Sequence, residues 1–300
     1  MEKNNKRFKL LDALYISMMI LPIICGIVLK ILTTPVSEGI SISGAKIFFT
    51  ISLPIQDLPI TESQVHSWLV IIAITGLCLF LTHGIKEKAD TKRQHIAEWI
   101  VENTQKLVNG NMGGYFSGFA PFIAAILGLS AFSSLLALFG LYAPTSDVNV
   151  TAGWAILVFF LITYYKMKCG PLIYAKSFAD PPLLAPLNII SEFATPLSMA
   201  FRHYGNVLSG TIVSALLAFA LQNLSSLIFG SLPGFLGEFP FMQIGIPALL
   251  SVYFDVFSGC LQAYIFAMLT MLYVADAFPQ QEYFERLERK KKEKMKESKA

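Results

Sequence analysis

LAPLNIISEFATPLSMAFRHYGNVLSGTIVSALLAFALQNLSSLIFG, residues 184–230, carries only two charged side chains, Glu192 and Arg202. As one helix it would measure about 70 Å at 1.5 Å per residue, more than twice the roughly 30 Å of a hydrocarbon core. In a bilayer such a helix must tilt strongly, bend or break. Pro186 and Pro196 offer bends and Gly210 a break, and the apolar run at 240–277 poses the same problem with Pro247 and Gly259. Two readings fit: a pair of long, steeply tilted helices suited to lying along a large partner, or a hairpin of ordinary spans interrupted at the glycines.

Composition places the rest of the chain in the same solvent. Of 300 residues 54% are hydrophobic and 14% charged, with a mean hydropathy of +0.58, which excludes a water-soluble surface. Charges bunch at 1–9, 84–110 and 281–300, and between Leu107 and Tyr165 the only one is Asp147. Apolar runs at about 11–32, 67–85, 117–143, 148–166, 184–230 and 240–277 give six candidate spans. The chain therefore reads as an all-α polytopic membrane protein. Its basic start followed by an apolar run resembles a signal peptide, but the run reaches Leu32 and no A-x-A site follows, so a retained first span is expected. Residues 33–66, with Pro35, Pro54 and Pro59, read as a loop with an interfacial piece. In KRQHIAEWIVENTQKLVNG, residues 92–110, Ile96, Trp99, Ile100, Val101 and Leu107 recur near helical spacing among charges. This is an amphipathic surface helix lying on the membrane or, equally well on pattern, a solvated connector.

Basic clusters at 3–9, 86–93, 166–176 and after 285 fall on alternate loops, whereas the loops at 33–66, 144–149 and 231–239 hold only Lys46. Basic residues near span ends favour the cytoplasm, so both termini are expected there. The net charge of +3 sits beside apolar runs, which suits anionic lipid headgroups better than nucleic acid. Cys25, Cys78, Cys169 and Cys260 are too irregularly spaced for a disulfide framework or a zinc site, and no metal or other cofactor is expected. The halves show no inverted repeat, which argues against a secondary transporter.

Arg202 is the informative charge. Deep in an apolar run an arginine costs on the order of 3 kcal/mol and needs a partner or water. One reading pairs it with Glu192 or Asp255 within the chain. The other gives it a polar path: at about 100° per residue, Ser198, Asn206 and Ser209 lie within about 40° of it. On the last run Asp255, Gly259, Gln262, Tyr273 and Asp276 form a second polar stripe under the same helical arithmetic. Scattered histidines (His66, His83, His95, His203) and the lack of H-E-x-x-H or G-x-S-x-G argue against an intramembrane enzyme. A self-contained transporter using Arg202 to bind an anionic substrate is the remaining rival.

LNIISEFATPLSMAFRHYGNVLSG resembles the signature of subunit a of the rotary F-type ATP synthase, an arginine followed three and four residues later by Gly-Asn. LQAYIFAMLTMLY resembles that family's final helix and APTSDVNVTAGWAI its proline-containing turn, so the likeness covers roughly residues 90–278. It implies a non-catalytic stator of the bacterial plasma membrane, with two tilted helices against a rotating c-ring of small hairpin subunits and with peripheral-stalk b subunits as further partners. Two offset half-channels would pass protons, or sodium ions, to and from the ring carboxylates and couple the gradient to ATP synthesis. By the same resemblance Arg202 matches the essential arginine, and Asn206 and Gln262 match polar residues beside the route. Asp255, Thr211, Glu192 and Tyr273 complete the expected ion-translocation set. Many relatives carry an acid or His at both positions held here by Thr211 and Asp255, which leaves Asp255 as the ionisable one. Asn188 stands where many carry an inner acid, with Glu192 one turn further along. His203 replaces a more usual Leu and is expected to pack. The implied organisation is N-terminal spans and outer loop at 1–90, surface helix at 91–110, ion-translocating domain at 111–280 and basic cytoplasmic tail at 281–300.

Overall fold

Six helices of the computed structural model are long and apolar enough to cross a membrane: Phe8–Thr33, Glu62–Thr82, Gly114–Phe139, Val148–Cys169, Ala185–Phe229 and Leu249–Asp276. The structure describes residues 2–33, 44–54, 56–87, 91–178, 182–230, 240–278, 283–284 and 287–288. Glu238 and most of the basic tail lie outside the described residues.

The first two helices, α1 (Glu2–Thr33) and α2 (Glu62–Thr82), pack antiparallel. A Cβ on Gly76 would lie 2.9 Å from the Met18 Cβ, and one on Gly26 3.1 Å from Leu69, so small residues set their close approach. Asp12 accepts from His83 Nδ1 (2.8 Å) and Arg93 Nη1 (2.9 Å), tying the start of α1 to the end of α2 and the beginning of α3 (Lys92–Met112). Where the sequence reads as an irregular loop, strands β1 (Ile47–Ile51) and β2 (Leu58–Thr61) form an antiparallel hairpin, with Thr50 opposite Pro59 and a register shift between Ile47 and Phe49. Proline is tolerated because both strands are edges. These are the only β-strands among the described residues.

On α3, Thr104, Val108 and Met112 recur every four residues and are buried in the main core, while Ile96, Trp99 and Val101 on the other side stay exposed. The surface helix thus packs one face on the bundle and presents a second apolar face outward. The third span is a 3-10 turn, Gly114–Phe119, then α4 (Ala120–Leu135) and a second 3-10 turn, Leu136–Phe139. Gly140, at φ +69°, closes it in the left-handed conformation that glycine adopts without strain, three residues short of the expected end. After a 3-10 turn at Pro144–Ser146, Asp147 caps α5 (Val148–Cys169) by accepting from Asn149 N–H at 2.9 Å. The core joins α3, α4, α5, the long helix and the last helix through Val108, Ile123, Val158, Met199 and Phe266.

A short helix, α6 (Pro171–Phe178), leads to α7 (Ala185–Phe229), 45 residues without a break at Pro196 or Gly210. Its length, about 68 Å at 1.5 Å per residue, settles the first alternative in favour of a continuous helix. The last run differs. It begins with a 3-10 turn at Phe241–Gln243, continues as α8 (Ile246–Ser251), passes through a π segment (Val252–Ser258) and returns to α-helix in α9 (Gly259–Asp276). The glycine at 259 marks the change from π to α geometry, and the backbone is helical on both sides.

Candidate functional site

Arg202 stands on an exposed side of α7 together with Ser198 and Ser209. Neither in-chain partner is available to it. Glu192 receives Lys166 Nζ from α5 at 2.7 and 2.9 Å and the Tyr174 hydroxyl at 3.1 Å, and Asp255 receives the Ser251 hydroxyl. Burial, then the Glu192 carboxylate, holds the Tyr174 phenol above its ordinary value. Among the described residues the guanidinium has neither an ion pair nor a hydrogen bond. None of the described residues neutralises it.

The neighbouring His203 is fully buried, with Nε2 3.2 Å from Ser130 Oγ and its ring edge-on to Trp154 and Phe266. One turn beyond Arg202, the Asn206 amide donates to Ser258 Oγ (2.9 Å), and that hydroxyl reaches Asn206 Oδ1 at 3.2 Å. This pair joins α7 to the end of the π segment. Glycines permit the contact: a Cβ on Gly210 would meet the Phe254 ring at 3.1 Å, and one on Gly259 would lie 2.6 Å from Ser134 Cβ on α4. The π geometry is visible where Gly259 N–H reaches the Phe254 carbonyl five residues back.

Thr211 and Asp255 line one cavity of about 580 Å³. Tyr204, Leu208 and Ala215 share its wall. Counted at about 100° per residue from Arg202, Tyr204, Leu208, Thr211 and Ala215 fall between about 180° and 240°. The cavity therefore opens on the side of α7 away from the arginine, and the Asn206–Ser258 contact lies on the flank between the two. Lys30 of α1, Lys46 beside the hairpin and Glu62 of α2 also line it, as do Tyr142 and Ser146 of the α4–α5 connection. Burial raises the Tyr142 phenol above its ordinary value, with Asp147, Tyr204 and Glu62 adding to the effect.

The stripe expected on the last helix is divided. Asp255 faces the cavity, Gly259 abuts Ser134, Gln262 is buried, Tyr273 packs beside the main core and Asp276 is exposed. A π turn, bonded i to i+5, advances less per residue than an α turn, so helical arithmetic carried back from Gln262 misplaces Asp255. Sequence reading also missed Lys30, Lys46 and Glu62. They come from segments distant in the chain and carry no motif. No group of three or more metal-binding side chains occurs among the described residues.

Six helices long and apolar enough to cross a bilayer, one of them a 45-residue helix whose arginine has no partner among the described residues, define a multi-pass membrane protein. A family model described as ATP synthase A chain matches residues 64–275. ATP synthase subunit a of Bacillus pumilus (strain SAFR-032) is 33% identical over 221 residues, covering 67% of this chain and 86% of that protein. The subunit a of Anoxybacillus flavithermus (strain DSM 21510 / WK1) is 33% identical over 240 residues, 71% of this chain and 96% of its own length. A third relative, ATP synthase subunit a 1 of Hahella chejuensis (strain KCTC 2396), is 28% identical over 230 residues, 76% of this chain and 88% of the relative. The chain belongs to the ATP synthase A chain family.

Proposed function

We propose that this chain is the non-catalytic ion-channel stator of an F-type ATP synthase, working with other subunits of that complex. The observation that carries the reading is the exposed guanidinium of Arg202, without a partner among the described residues, on a helix long enough to follow a curved neighbour through the bilayer. A rotating c-ring carboxylate is the counter-charge it needs, and peripheral-stalk b subunits hold the chain against rotation. The cavity at Thr211 and Asp255 is the outer half-channel. Asp255 is its ionisable group inside the membrane, and the route turns past the Asn206–Ser258 contact, with Gln262 beside it, to reach the arginine side of α7. The Glu192–Lys166 pair marks the inner half-channel, and Tyr273 lies further along the last helix.

Arginine suits the divide between two half-channels because it keeps its proton at every relevant pH and cannot relay one. Its charge also favours the ionised form of a facing carboxylate, so a loaded ring site releases its ion before passing. At about 4 Å and an effective dielectric of 20 the attraction is roughly 4 kcal/mol, strong enough to bias protonation and weak enough to let the ring move on.

The test is Arg202→Ala in the assembled complex. Gradient-driven ATP synthesis should be lost while the ring remains bound, and passive ion leak through the membrane sector should rise. The charge-free pair Arg202→Gln with Asp255→Asn should not recover synthesis, because the two side chains are not partners. Near-normal synthesis by assembled Arg202→Ala complexes would overturn the proposal.

A further inference from the structure

Four charged residues line the cavity behind α7, and two of them are carboxylates: Asp255, within the last span, and Glu62, in the first turn of α2. We infer that Glu62 is the outer proton-uptake group of this cavity, collecting a proton from outside water and passing it along the hydroxyl-lined wall to Asp255. The inference rests on the proposed identity of the cavity as the outer half-channel.

Position is the first argument. The Glu62 backbone N–H donates to the Lys46 carbonyl at 2.7 Å, so the β1–β2 hairpin brings both residues to the cavity from the connection between the first two spans. Its carboxylate forms no hydrogen bond and no ion pair among the described residues, whereas Lys30 is engaged by the Gly140 carbonyl. The wall is the second argument. Tyr142, Tyr204, Ser214, Thr211 and Ser251 are hydroxyl-bearing residues of its lining; Ser251 donates to Asp255, Tyr142 to the Ser146 carbonyl and Thr211 to the Val207 carbonyl, and each hydroxyl can also accept. The charged and titratable groups that line the cavity with Glu62 are Lys30 from α1, Lys46 beside the hairpin, Tyr142 from the α4–α5 connection, Tyr204 from α7 and Asp255 from the π segment, and His66 and Asp147 lie beside Tyr142.

The transfer balances. An outside proton converts the Glu62 carboxylate to the acid, and its O–H donates into the chain of hydroxyls and cavity water. Every member gives one proton and takes one, the Asp255 carboxylate receives the last, and Glu62 returns to its ionised form. An acid in a first helical turn also favours the helix dipole, but that role requires no exchange with outside water.

The experiment uses the complete complex in vesicles at varied outer pH. Glu62→Gln should assemble and lower gradient-driven synthesis by on the order of tenfold, less than a full general acid–base loss because water replaces part of the relay. Glu62→His should change the outer-pH dependence of the rate, since an imidazole carries its added proton as a cation and a carboxylate as a neutral acid, a change that a purely structural side chain would not produce. If Glu62→Gln impairs assembly, the Glu62→His profile decides. In parallel, Thr211→Cys in a chain whose four native cysteines are replaced should react with an impermeant thiol reagent from outside. Outside labelling at 211 together with a wild-type pH profile in Glu62→His overturns this inference alone. Failure of that labelling in the assembled complex overturns the outer-cavity reading and the inference with it.

Discussion

Glu192 and Arg202 are ten residues apart on one helix and are satisfied in opposite ways. Glu192 is half-buried and held by Lys166 and Tyr174 within the chain, while Arg202 faces outward without a partner among the described residues. Removing one member of a buried pair leaves an uncompensated charge, and removing both does not, so each acid of the proposed route is best tested by a neutral isostere. Among the described residues Asp255 has the Ser251 hydroxyl as its hydrogen-bond partner, and Asn at 255 keeps the shape and the hydrogen bond. Asp255→Asn should therefore leave assembly intact and cut coupled ion flow and ATP synthesis strongly, on the order of the 10²- to 10⁴-fold associated with loss of a proton-transfer group. Unchanged synthesis in assembled Asp255→Asn complexes, measured in energised vesicles, would remove this residue from the pathway. At this scale the sequence made Arg202, Asn206 and Asp255 visible because a charge or amide in an apolar run stands out. Lys30, Glu62 and Lys166 sit at span ends, where charge is ordinary, and only the fold shows which of them face a cavity or a carboxylate.

The elements divide along the same line between local and long-range information. Six spans follow from apolar runs, since length and composition alone determine what can cross a bilayer. The π segment does not: VYFDVFS, residues 252–258, holds no proline or glycine that would announce it. The close packing that accompanies it is tertiary, with Gly210 against Phe254 on one side and Gly259 against Ser134 on the other. Gly259→Ala places a methyl carbon 2.6 Å from the Ser134 Cβ, a separation that forces α4 and the last helix apart. Overpacking of this kind costs about 1–3 kcal/mol, and the displacement would also disturb the Asn206–Ser258 contact. Complexes carrying Gly259→Ala should show lower thermal stability and reduced coupled flow, and Ser134→Gly in the same chain should restore a large share of both. Two independent, additive losses would show that the contact is not what the glycine serves.

Over the whole molecule the contacts gather into two ends. At one, Phe8 and Asp12 meet His83 and Arg93, and the Lys168 ammonium donates to Tyr115 (2.7 Å) and lies 5.7 Å from the Phe278 ring. The basic clusters that follow the second and fourth spans are both at this end. At the other are the β-hairpin, the α4–α5 connection and the cavity of Lys30, Glu62 and Asp255. Basic residues near span ends are retained in the cytoplasm, so we propose that the first end lies inside and that the cavity opens outward. Lys30 and Lys46 are side chains that run against this orientation, and for Lys30 the Gly140 carbonyl that accepts from it supplies the structural reason for a cation there. Reporter fusions at each terminus should read as cytoplasmic, and Ser146→Cys, placed in the cavity wall in a chain without its native cysteines, should label from outside. A terminus reported outside, or labelling of position 146 only from the cytoplasm, would invert the half-channels. Asp255 would then serve the inner route, and the uptake role argued for Glu62 would have no outside water to draw on.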